Sequence, residues 1–107
     1  KNVLIAASLD SFIRVWEFNT GKLIMKTEYI SNTPLYEMAI LNGCIYLEAY
    51  RTKKLIVFSL SEDELKFVRE EEIKEDKMCT LQSLDHRKIG KCLFICGYPG
   101  TIRMYYK

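Results

Sequence analysis

The sequence predicts an all-β fold assembled from repeated antiparallel sheets, and three observations point to it. Short apolar runs recur along the chain, separated by turn formers such as Asn19-Thr-Gly21, Asn42-Gly43 and Gly97-Tyr-Pro-Gly100. The runs superpose on one another at nearly constant spacing, so the chain is a repeat. One stretch, Ser8 to Gly21, reads as a strand end, a tight turn, a second strand and a hairpin turn.

The spacing is measured from Ile13-Arg-Val-Trp16. Leu55-Ile-Val-Phe58 follows 42 residues later and Ile102-Arg-Met-Tyr105 a further 47. The strand before each one aligns too: Val3 to Ser8, Ile45 to Tyr50 and Cys92 to Gly97, with a small residue (Ala7, Ala49, Cys96) at one place. The strand after aligns through Leu23 and Leu65, again 42 apart. A period of about 40–45 residues holding several short strands is the signature of a β-propeller blade.

Taken in order, strands are expected at 3–8, 12–18 and 22–29, the last more polar because it lies at the rim. Asn19 and Gly21 suit the hairpin between the last two, because both tolerate positive φ. Ser31-Asn-Thr-Pro34 interrupts the pattern and crosses to the next unit. There strands are expected at 35–41, 44–50 and 54–60, with an outer strand near 65–70. The third unit opens at 78–84, turns through a longer hairpin at Asp85–Gly90, and continues at 91–97 and 101–106. Ser61-Glu-Asp-Glu64 also fits a helical capping box, with Leu65, Val68 and Ile73 on one helical face. Repeat register favours the outer strand, leaving Glu70–Lys77 as a charged, solvated loop.

Composition sets further bounds. The 107 residues amount to one small domain, with 49% hydrophobic and 28% charged residues, as in an ordinary globular protein. A net charge of +2 with scattered basic residues gives little ground for a nucleic-acid partner. No run approaches the roughly 18 apolar residues of a membrane span, and the apolar start lacks a signal-peptide layout. Cys44, Cys79, Cys92 and Cys96 lie in apolar β-type runs, which reads as buried free thiols in an intracellular, reducing compartment. Cys92 and Cys96 would sit on one strand face about 13 Å apart, too far to bond or to share a zinc.

The stretch Ser-Leu-Asp-Ser-Phe-Ile-Arg-Val-Trp-Glu-Phe-Asn-Thr-Gly, residues 8–21, resembles the signature of a WD40 repeat, written S-x-D-x-T-I-R-L-W-D-x-x-T-G. The resemblance runs over nearly the whole chain, and its motif is specific in the first unit. It implies a WD40-like β-propeller segment of four-stranded antiparallel blades: residues 1–30 the end of a blade, 35–72 a full blade and 78–107 the start of another. It also implies a hydrogen-bonding tetrad for Ser8, Asp10 and Trp16, with the family's His preceding residue 1. Glu17 replaces the usual Asp after Trp. The second unit has Thr52 and Phe58 at the Asp and Trp places, and the third has Pro99 and Tyr105, so both must rely on apolar packing. Closed propellers carry about 4–8 blades. Further blades of the same propeller are therefore expected outside this sequence.

No catalytic, cofactor or metal-ligating constellation emerges. His86 is the single histidine, on a hairpin beside Asp85 and Arg87, without the positioned partner and nucleophile that catalysis needs. No G-x-S-x-G, zinc or phosphate-loop motif occurs. Gly97–Gly100 is glycine-rich, but no helix follows to receive a phosphate. The expected role is a non-catalytic protein-interaction scaffold within a larger assembly. Its turns at 9–11, 51–53 and 98–100 would share one end, and Arg51, Lys53 and Tyr98 are the candidate partner-binding residues, Tyr and Arg being enriched at binding hot spots. The alternative is a propeller that binds nucleic acid or phosphoinositide through the basic turn Arg51–Lys54, with a steep salt dependence.

Overall fold

The computed structural model describes residues 2–28, 34–49, 54–62, 64–72, 77–98 and 101–106. They form ten strands in three antiparallel meanders. The first sheet holds β1 (Val3–Ala7), β2 (Phe12–Glu17) and β3 (Leu23–Glu28) in that order. The second holds β4 (Leu35–Leu41), β5 (Cys44–Ala49), β6 (Lys54–Leu60) and β7 (Leu65–Glu72). The third holds β8 (Lys77–His86), β9 (Gly90–Tyr98) and β10 (Thr101–Tyr106). No helix is long and apolar enough to cross a membrane among the described residues.

Local chemistry accounts for the turns. Asn42 and Gly43 both take positive φ, 52° and 74°, and join β4 to β5 as a two-residue hairpin closed by the Leu41–Cys44 pair. An added Cβ at Gly43 meets nothing within 4 Å, so Gly43→Ala isolates the backbone strain. It should lower stability by about 1 kcal/mol in a thermal melt, with the fold unchanged. The Ser61–Glu64 stretch caps no helix. Ser61 N–H and Oγ–H both donate to the Glu64 carbonyl, at 2.9 and 3.2 Å, and turn the chain from β6 into β7.

Strand β7 is mostly exposed and carries Lys66, Arg69, Glu70, Glu71 and Glu72. Such charges discourage another strand from adding to this outer edge. The expected loop at 70–77 is shorter than predicted, because β7 runs to Glu72 and β8 begins at Lys77. The hairpin expected at 85–90 also tightens: Asp85 pairs with Lys91 and His86 with Gly90, leaving residues 87–89 as the turn.

The repeat extends to the irregularities. Register shifts fall between Val15 and Trp16 in the first sheet and between Val57 and Phe58 in the second, at matching places. Similar shifts, between Leu35 and Glu37 and between Met78 and Thr80, mark β4 and β8. The pairings also correct the alignment read from sequence. Ala7 pairs with Ile13, Glu48 with Leu55 and Cys96 with Ile102, so Glu48, not Ala49, matches Ala7. The β5–β6 connection is one residue longer than its counterparts. Trp16 pairs with Leu23 and Phe58 with Phe67, so Phe67, not Leu65, matches Leu23. The second sheet continues its outer pairing through Ser59–Lys66 and Leu60–Leu65 before it turns.

The second sheet is sandwiched. Ile45, Leu47, Ile56 and Phe58 pack with Ile13 of the first sheet, and Tyr46, Leu55 and Val57 pack with Leu81, Leu93 and Ile95 of the third. Strands buried on both faces lose polar alternation, which is why Leu55-Ile-Val-Phe58 is apolar throughout. Strand β4 lies against both β1 and β8, and Leu35 N–H donates to the Ser8 carbonyl at 3.1 Å, tying the first two sheets together.

Candidate interaction surface

The turn between β1 and β2 is built by its own side chains. Ser11 N–H donates to the Ser8 carbonyl at 3.1 Å, and Ser11 takes a left-handed φ of 70°. Its buried hydroxyl donates to Glu28 Oε2 at 2.9 Å, fastening the turn to the end of β3. Asp10 Oδ1 accepts from Phe12 N–H at 3.2 Å, and the Ser8 hydroxyl donates to Asp10 Oδ1. Ser8 and Asp10 are thus joined directly, whereas the tetrad that the resemblance implies links them through a His.

Arg14 bridges the same two side chains. Its Nη2 donates to Asp10 Oδ2 at 2.7 Å, and its Nη1 donates to Ser8 Oγ at 3.2 Å and to Asp10 Oδ1 at 3.3 Å. Trp16 lies further along β2, opposite Leu4, and is half-buried. Sequence reading missed Arg14. Its signal was an Arg four residues after the turn Asp on a strand that returns past it.

The Arg14 guanidinium, then the Ser8 hydroxyl, hold the Asp10 carboxyl well below the usual carboxylate range, and Asp10 raises Arg14 in return. A carboxyl depressed on folding stabilises the fold above its unfolded pKa, and that stabilisation fades as pH falls through the folded value. Asp10→Asn should therefore lower stability at pH 7, and its gap from the wild type should close below the ordinary value of 3.8. Denaturant titrations at stepped pH would show this. The Asp10 side chain is half exposed, so solvent screening keeps the effect modest.

Beside this turn, two cations lie over the Phe12 ring, Arg14 Cζ at 5.3 Å and Lys26 Nζ at 4.6 Å from its centroid. Of the predicted partner-binding residues, Arg51 and Lys53 lie outside the described residues. Tyr98 ends β9, with its side chain outside them, as His86 ends β8. Lys54, from the same basic turn, forms an ion pair with Glu70 across the β6–β7 pair at 3.3 Å. Cys44, Cys92 and Cys96 are free thiols, with Cys92 buried and its Sγ 3.7 Å from the Leu84 carbonyl. Among the described residues no three His, Cys, Asp or Glu gather as a metal-binding group.

The two outer faces of the stack complete the picture. Leu4, Ile45 and Leu93 occupy one position in the three sheets, each paired one strand across with Trp16, Phe58 and Tyr105. Ile45 and Leu93 are 0% and 1% exposed, whereas Leu4 is 54% exposed. At the opposite-facing position, Ile13 and Leu55 are 0% and 1% exposed, whereas Ile102 is 72% exposed. No protein-family model matches the chain, and no curated protein matches its sequence.

Proposed function

We propose that the chain is a segment of a WD40-like β-propeller that serves as a rigid, non-catalytic protein-interaction scaffold inside a larger intracellular assembly. On this reading residues 1–30 end one blade, 35–72 form a full blade and 78–107 begin the next. The observation that carries it is the exposure of Leu4 and Ile102 at positions that are sealed wherever a neighbouring sheet is present. Leu4 and Ile102 each hold the place of a residue that an internal joint buries, which calls for another sheet of the same kind against each. The free thiols support a reducing compartment.

A rigid array presents its turns as a fixed surface, and partner binding then falls to the turn residues, among them Arg51, Lys53 and Tyr98. Affinity capture of the complete protein, wild type against Arg51→Glu and Tyr98→Ala at two salt concentrations, tests this. A defined set of protein partners lost in the variants is the expected result. Recovery of nucleic acid or lipid that vanishes at high salt would replace the scaffold by the alternative reading.

A further inference from the structure

The joint between the first and second sheets is filled by Ile13, Ile45 and Phe58, but it opens toward the β6–β7 turn into a cleft of about 340 Å³. Val3, Val15 and Met25 line it from the first sheet, and Leu60 lines it from the end of β6. Glu62, exposed on the turn after Leu60, also lines it. The turn is held from within by the two bonds from Ser61 to the Glu64 carbonyl, and among the described residues no hydrogen bond or ion pair takes the Glu62 carboxylate. The local sequence, Ser61-Glu-Asp-Glu64, sets three acids in succession.

From this we infer that the cleft docks a short basic segment of a partner protein. One apolar side chain enters between Val15, Met25 and Leu60, and a flanking Lys or Arg pairs with Glu62. The volume sits at the lower end of the roughly 300–1,000 Å³ of ligand pockets, enough for a single anchor residue. The apolar lining supplies affinity for that anchor. The acidic turn selects basic flanks and repels acidic ones.

Both walls belong to this chain, so further sheets against Leu4 or Ile102 would leave the cleft open. The inference gives the scaffold reading a partner chemistry, yet it rests on Val15, Met25, Leu60 and Glu62 and not on Arg51, Lys53 or Tyr98, so either can fail without the other.

The test is fluorescence anisotropy on the complete protein with labelled Gly-Ser-Lys-Arg-Leu-Lys-Arg-Ser-Gly. Two control peptides replace the Leu by Ser, or every Lys and Arg by Glu. Saturable binding of the first peptide, weakened about tenfold or more by the Leu replacement and by Glu62→Lys, is expected. The acidic peptide should not bind the wild type. No saturation by about 1 mM, or equal binding after either replacement, would overturn the proposal. Circular dichroism checks that Glu62→Lys is folded. Should it not be, the Met25 methyl resonance of the wild type decides: it must shift with the Leu peptide and stay put with the Ser peptide.

Discussion

Leu55→Asp is expected to unfold the protein. Leu55 lies in β6 within the joint between the second and third sheets, packed with Val57, Leu81, Leu93 and Ile95. A carboxylate there would be stripped of water among aliphatic neighbours, at a cost above about 4 kcal/mol. That consumes most of the stability of a domain at the lower end of the typical range of about 5–15 kcal/mol. Ile102 holds the equivalent position on the third sheet but lies open, so Ile102→Asp in the 107-residue chain should change stability by less than about 1 kcal/mol. In the complete protein the propeller reading expects Ile102→Asp to be as damaging as Leu55→Asp. Urea denaturation of both variants in both backgrounds makes the comparison, and a harmless Ile102→Asp in the complete protein would sink that reading at this face.

The strands and most turns were legible because their chemistry is local. Asn42-Gly43 takes the positive φ pair that a two-residue hairpin demands, and Leu55-Ile-Val-Phe58 is apolar at each position because sheets cover both its faces. That same burial hid the register. Where alternation is lost, an apolar run slides by one residue without penalty in a sequence comparison, so the extra residue between β5 and β6 passed unseen. Ser61–Glu64 was ambiguous for a related reason. A Ser hydroxyl close to backbone groups serves a helix cap and a turn equally well, and only the strand pairing beyond it decides. The Arg14 contacts were missed because an Arg four residues after the turn Asp becomes informative only once β2 is seen to fold back past the turn, a tertiary fact that spacing alone does not carry.

Leu4 and Ile45 offer the complementary measurement at the other outer face. Ile45→Ala removes a fully buried side chain from the joint with the first sheet and should cost about 2–5 kcal/mol. Leu4→Ala, at the matching position, should cost less than about 1 kcal/mol in the 107-residue chain, because Leu4 is already half exposed there. Midpoints compared at unchanged m-value give both numbers. A closed ring requires the Leu4→Ala cost to rise toward that of Ile45→Ala in the complete protein, just as it requires Ile102→Asp to become damaging. The two faces are independent tests. A rise at one alone would place the other at the end of an open stack, where a terminal sheet must tolerate water on its outer side. The exposure of Leu4 would then be a feature of the working molecule, available to a partner, rather than the mark of a missing blade.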